Sequence, residues 1–387
     1  EIIMALTDVF ISPTGAGDED GSSVANALIG IEDGGGGNDW SADLISQDRA
    51  NKRFIFLEGT YNVQTKLTFT GSAPSDTQPN QWVGAKSDGT ILRPKFDETG
   101  LRLDLTNYPK FVCSANVQMI DTEENTYYKC LSFENTNASY SQGSIIEATS
   151  GDVDQQMWFG CNFKAAPAST TSEVMIASAT NYHTCVFEAT TKNFDRVLDV
   201  RANCRIDNCR IIGGGTSSGS GDGDGLTTTT QTAQIRDCVI TNCHGKGVHM
   251  TSTSAKTTIN VSNCTIVNNG GDGIDTDQDA AMSSVHTSNG EANLIFGNGG
   301  VGLRADALDD RQAGFQLLAM GDNSGGNFVD MDSYEDMIDV ITVSQSDFFD
   351  YTNNDFRIRR DSTLYKLFGD RNMGAIQNDD FELVSVS

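Results

Sequence analysis

Seven residues of this chain fall where successive repeats would set them side by side, and their types suit work on a sugar polymer. Thr227, His249, Asp275 and Arg304 each follow the aliphatic residue that closes a Gly-x-Gly-aliphatic turn; Thr251, Asp277 and Asp306 stand two residues further on. If the aliphatic residues point inward on parallel strands, both sets point outward, because side chains alternate along a strand. Neighbouring strands lie ~4.8 Å apart and residues two apart along a strand ~6.5–7 Å apart. Asp275 with Asp277, or Asp277 with Asp306, then falls within the ~5–9.5 Å separation of paired glycosidase carboxylates. His249 stands beside them as an acid or base, and Arg304, Thr227 and Thr251 would bind. The plainer reading is a surface ladder in which Asp275 bridges two basic neighbours, which contributes little at an exposed position.

A second chemistry is suggested by Gly-Asp222-Gly-Asp224-Gly, whose carboxylates and carbonyls are the hard oxygen donors that calcium prefers. The segment occurs once, so a flexible turn competes with a cation loop. Apart from this possible Ca2+, no cofactor is expected. His244, in Cys243-His-Gly-Lys-Gly-Val248, lacks the surrounding pattern of a catalytic histidine motif.

Those turns belong to a repeat written four times: Ile206-Asp-Asn-Cys209-Arg-Ile211, Ile235-Arg-Asp-Cys238-Val-Ile240, Val261-Ser-Asn-Cys264-Thr-Ile266 and Glu291-Ala-Asn293-Leu-Ile295. The turns are Gly223-Asp-Gly-Leu226, Gly245-Lys-Gly-Val248, Gly271-Asp-Gly-Ile274 and Gly300-Val-Gly-Leu303. A period of 20–50 residues is the mark of a solenoid. Earlier triplets, Leu131-Ser-Phe133, Cys161-Asn-Phe163 and Cys185-Val-Phe187, keep the same register, so the Cys and the apolar residue two further on share the inner face. Asn208, Asn263, Asn293, Asn242 and Asn268 suit left-handed bends or ladders between coils. Cys161, Cys185, Cys209, Cys238 and Cys264 recur at one repeat position, which predicts a column of buried free thiols; none has zinc-ligand spacing. About a dozen coils would make a rod of ~60 Å.

The 387 residues include 53 Asp+Glu against 26 Lys+Arg, a formal charge of −27. This acidic balance disfavours nucleic acid, anionic membrane surfaces and polyanionic glycans as partners, and no apolar run reaches the ~18 residues of a membrane span. The opening Glu1-Ile-Ile-Met4 lacks the basic and cleavage regions of a secretory signal. With Met4 as initiator, the expectation is a cytoplasmic protein or one released in a particle by lysis; the place put first is a virion or the extracellular space. Trp40, Trp82 and Trp158 are candidate sugar-stacking rings, Trp158 equally a core residue.

The two ends of the chain carry a resemblance. Phe10-Ile-Ser-Pro-x-Gly-x-Gly, Asp20-Gly-Ser-Ser-x-x-Asn-Ala27 and Phe56-Leu-Glu-Gly-Thr-Tyr61 resemble the opening of pectin-lyase-like right-handed parallel β-helix proteins. Asp355-Phe-Arg-Ile358 and Met373-Gly-Ala-Ile376 are similar to their closing coil. The resemblance implies an all-β, right-handed, single-stranded parallel β-helix: a small entry and capping module over 1–50 with a helix from Ser41 to Ala50, the solenoid over 51–360, and a closing coil and tail over 361–387. That superfamily hosts many activities. The reading put first is a viral (phage) structural appendage, tailspike- or fibre-like, binding host surface glycans as a homotrimer or together with other virion proteins. The alternatives are an extracellular polysaccharide-degrading enzyme (glycoside hydrolase or lyase) and a non-catalytic bacterial surface protein.

Overall fold

The structure is a computed structural model that describes residues 6–365, apart from 35–36, 76, 123–124, 142–143, 150–155, 168–172, 179, 202, 218, 220–221, 229–232, 252–257, 277–283, 287–292, 306–316 and 330–338. The chain winds through three long parallel sheets of eleven, eleven and nine strands. Each turn of chain visits the first, second and third sheet in order, so neighbours within a sheet are one coil apart in sequence. This is the parallel β-helix expected from the repeat. Eleven strands at ~4.8 Å span about 50 Å. No helix among the described residues is long and apolar enough to cross a membrane.

The bend between the first and second sheets is one residue in the left-handed region: Gly160, Thr184, Asn208, Asp237 and Asn263 have φ from 50° to 64°. A second set, Asn242, Asn268, Gly297 and Asp322, bends the chain between the second and third sheets. Asn and Asp tolerate that region because their short side chains bond locally. The Cys that follows the first bend turns inward, leaving its N–H directed along the helix axis. The next coil supplies the acceptor: Cys185 N donates to Cys209 Sγ at 3.4 Å, and Cys209 N to Cys238 Sγ at 3.4 Å. At the fourth copy Cys264 N donates to Asn293 Oδ1 at 2.9 Å. Asn therefore replaces Cys because both accept that hydrogen bond. All nine cysteines are free and buried. Asn269, Asn298 and Asn323 form a second inner ladder, each amide donating to the next at 3.0 Å.

The core changes character along the axis. Early coils stack aromatics: Phe111, Phe133, Phe163 and Phe187 lie 5.0–5.8 Å apart, and Tyr128 stacks on Trp158 at 3.7 Å. Later coils carry Ile211, Ile240, Ile266 and Ile295 at the same second-sheet position. Trp40, Trp82 and Trp158 are all buried, which corrects the sugar-stacking expectation for Trp40 and Trp82 and agrees with the core reading of Trp158. They occupy inward positions, where alternation leaves a large ring only the core.

At the entry, Thr7–Ser12 joins the first sheet beside Lys52–Leu57. Ser41 caps the helix as expected, accepting from Leu44 N at 3.1 Å, but the helix is one turn, Ala42–Ile45. It stops early because Arg49 is drawn inward to donate to the carbonyls of Gly71 and Ser72, so the chain must turn away. Leu317–Gly321 forms a further second-sheet strand. The acidic segment 330–338 and the tail 366–387 lie outside the described residues.

Candidate functional site

On the outer face of the third sheet, Thr227, His249, Asp275 and Arg304 pair across four adjacent strands. Asp199 precedes Thr227 in the same row. This is the register that the Gly-x-Gly turns predict. Thr251 is half-buried just past its strand, and Asp277 and Asp306 lie outside the described residues. The row differs from the expected exposed ladder in one respect: His249 and Asp275 are only 6% and 5% accessible, though they point outward.

What covers them is the central residue of each turn. Asp224, Lys246 and Asp272 stand three residues before Thr227, His249 and Asp275 and form a second row over the first. Asp224 Oδ1 accepts from Lys246 N at 2.9 Å, and Asp272 Oδ1 accepts from Val301 N at 2.5 Å, so each turn carboxylate caps the next turn. The flanking glycines make this approach possible. A Cβ on Gly300 would lie 2.0 Å from Asp272 Oδ1, and one on Gly245 2.6 Å from Asp224 Oδ1.

The two rows interlock into one charged network. His249 Nδ1 lies 2.5 Å from Asp224 Oδ2, and His249 Nε2 lies 2.6 Å from Lys246 Nζ. An ammonium can only donate. Nε2 therefore accepts from Lys246, and Nδ1 carries the proton donated to Asp224. Lys246 Nζ also meets Asp275 Oδ2 at 2.7 Å. Arg304 Nε donates to Asp272 Oδ2 at 2.8 Å and lies 3.9 Å from Asp275 Oδ1. That last oxygen is buried and has no hydrogen-bond donor among the described residues. A cavity of about 350 Å³ opens here, lined by Asp222, Asp224, Lys246, His249, Asp272 and two turn glycines.

Asp222 thus lies at the cavity rim, whereas both oxygens of Asp224 are engaged by protein donors. No group of three or more His, Cys, Asp or Glu among the described residues is arranged to hold a metal ion.

The sequence reading missed Lys246 and Asp272 and placed Asp224 in a flexible turn or a cation loop. Aligning the central residues of the turns, as well as the residues after them, would have placed all three. It also missed a second charged cluster upstream, where Glu173, Arg196 and Asp224 are register partners on successive strands. Arg196 lies 3.9 Å from Glu173 and 3.3 Å from Asp199, and it pairs with Asp195. Arg201 donates to Asp199 at 2.6 Å.

Burial, reinforced by the Asp199 charge, pushes the Glu173 carboxyl up to about 7. A raised folded-state pKa means that the stabilising contribution is fully present below the unfolded value of 4.5 and is lost as pH rises through about 7. The swing is on the order of 2–3 kcal/mol. Glu173→Gln should accordingly be more stable than wild type at pH 8 and lose that advantage by pH 4. Urea midpoints across this range measure it; a constant difference between the two proteins would refute the assignment.

No protein-family model and no curated protein sequence matches this chain. Among solved structures, the crystal structure of pectate lyase Pel9A is similar with a TM-score of 0.54 at 11% identity, covering 97% of this chain and 98% of that chain. Similarity at this level establishes the shared β-helix fold.

Proposed function

We propose that this protein binds a glycan along the outer face of its third sheet, as a β-helical viral appendage of the phage tailspike or fibre kind. The observation that carries the glycan part is Asp275. Its Oδ1 is buried and without a donor among the described residues, and Lys246, which pairs with its Oδ2, lines a cavity of about 350 Å³. A buried acceptor left unsatisfied costs ~1–3 kcal/mol, and a sugar hydroxyl donating to it would remove that cost. Thr227, Thr251, His249 and Arg304 would complete a surface of alternating donors and acceptors suited to a neutral or amino-sugar chain. The appendage part rests on the long uninterrupted solenoid and on the acidic, unmotifed sequence. In that role the chain would act on a virion or outside cells, as a homotrimer or with other virion proteins.

Asp275→Asn keeps the shape and removes the charge. It should weaken glycan binding by roughly tenfold or more, the effect of one hydrogen bond to a charged group. A glycan panel followed by calorimetry on the responding sugar measures this, with the thermal midpoint recorded to show that the fold is kept. Undiminished binding by the variant would remove the reading.

A second reading, cleavage of a polysaccharide, is favoured by the Asp224–His249–Lys246 chain. An imidazole oriented by a carboxylate on one nitrogen and paired with an ammonium on the other, at the lining of a cavity, is an acid–base arrangement. If it operates, new reducing ends or unsaturated products appear from a responding glycan and disappear with His249→Gln. With no products from any glycan that binds, the protein is a binder alone.

A further inference from the structure

A second cavity lies on another side of the molecule, at the bend between the first and second sheets, with a volume of about 1130 Å³. Its floor is the coil body, where Lys129 and Phe159 are register partners and Thr184 and Asn208 make the left-handed bends. Its walls come from two distant segments. One is the loop 93–104, tied into a hairpin by Asp97 N donating to Arg102 O at 2.7 Å and Asp104 N to Lys95 O at 2.8 Å. The other is the antiparallel pair Phe348–Asp350 and Asp355–Ile358, which contributes Arg357.

Both walls are fixed. Leu101, Leu103, Phe356 and Ile358 share one apolar cluster with Val186 and Ile212 on the outside of the second sheet. Arg210, itself buried, donates to Gly100 O at 2.6 Å and lies 4.2 Å from the Phe96 ring, which bolts the loop to the coil. Such a shape is assembled in the folded protein before any ligand arrives, so a ligand need not order it.

The charge of this cavity opposes that of the protein. Five Lys and Arg line it against three Asp and Glu, in a chain whose acids outnumber its bases two to one. Two of the cations have protein partners: Arg210 as above, and Arg357 on Asp355. Arg93, Lys95 and Lys129 have neither an ion pair nor a hydrogen bond among the described residues; Lys129 meets only the Phe159 ring, at 5.9 Å. The three acids offset them only in part, five charges against three. Asp97 Oδ1 accepts from Thr99 N, Thr99 Oγ1 and Leu101 N inside its own turn. Asp104 is likewise engaged, by Thr106 N at 3.0 Å.

We propose that this cavity binds a small organic oxyanion, with Arg93, Lys95 and Lys129 holding its carboxylate or phosphate and Phe96 and Phe159 contacting its carbon face. The reasons are charge and size. Five cations against three acids leave the cavity net positive, and an oxyanion offsets that excess while accepting charge-assisted hydrogen bonds. The volume exceeds what a bare inorganic ion fills and lies just above the ~300–1,000 Å³ of ligand pockets. Within a Debye length of ~8 Å the local cations outweigh the distant acidic surface.

Calorimetry on the full chain at low salt, with glucuronate, inorganic phosphate and glucose as probes, tests the proposal. The oxyanions should bind and glucose should not. Lys129→Gln and the double variant Arg93→Gln/Lys95→Gln should each weaken binding by about tenfold, and binding should weaken as salt is raised. These side chains make no structural contacts that would unfold the variants, and unchanged thermal midpoints verify this. Tighter binding of glucuronate identifies an acidic sugar as the source; equal or tighter binding of phosphate identifies a phosphate. Asp275→Asn should bind the oxyanion as wild type does, which separates this site from the third-sheet site. The proposal is overturned if no oxyanion binds, if glucose binds equally well, if the cation variants bind undiminished, or if Asp275→Asn abolishes anion binding.

Discussion

Lys246→Met is expected to lower stability by about 2–3 kcal/mol, and Lys246→Met/Asp275→Asn by less than the sum of the two single changes. Lys246 is the one ammonium that touches both His249 and Asp275, at 2.6 and 2.7 Å. Asp275 is 5% accessible, so without Lys246 its charge is left with Arg304 at 3.9 Å as its cation. Removing one partner of a buried pair costs ~3–5 kcal/mol. The lysine side chain is 26% accessible, and water reaching that end reduces the figure. Neutralising Asp275 at the same time takes away the stranded charge, so the cycle should show a coupling of at least ~1 kcal/mol. Urea unfolding of the four proteins measures it. Additive single changes would mean that the turn residue and the row residue beneath it act independently, contrary to the interlocked network.

Trp158→Ala should be more damaging, at about 3–5 kcal/mol. The indole is fully buried, stacked on Tyr128 at 3.7 Å and edge-on to Phe163 at 5.2 Å, so the truncation opens a void between two adjacent coils. In a solenoid each coil contacts only its neighbours, and stability is close to a sum of coil and interface contributions. A void at one interface therefore weakens the link between the coils on either side of it, within the aromatic stretch. Calorimetric melting should show the midpoint fall and a single transition broaden or divide. A sharp single transition at the wild-type midpoint would show that the coil relaxes to fill the space.

The parts legible in the sequence were those where one residue type answers one local demand. The Gly-x-Gly turns gave the third-sheet register residue by residue, because only glycine leaves room for the carboxylate of the preceding turn. The Cys position and its Asn substitute marked the inner column because each must accept an N–H from the coil below. The charged network was only half visible. Strand alternation says that His249 and Asp275 point outward, and outward suggests water; the residues that bury them sit in the turns, where alternation no longer applies. Glu173 and the cation cavity were not legible at all. The cavity joins residues 93–104, 129–210 and 357, and no local pattern marks contacts separated so far along the chain. Trp40 and Trp82 misled for the opposite reason: ring chemistry suggested sugar, while the inward register assigned them to the core.

The column of thiols has a consequence for how the molecule can be interrogated. Cys161, Cys185, Cys209, Cys238 and Cys264 mark five successive coils, each inaccessible and none oxidised to a disulfide. Burial raises the thiols of Cys185, Cys209 and Cys264 above their ordinary range, so the closed protein offers an alkylating reagent almost no thiolate there. Each sulfur can react only while its own coil gapes. The unaltered chain thus carries its own depth gauge: the order in which these peptides acquire label traces where the rod frays first and how far the fraying travels.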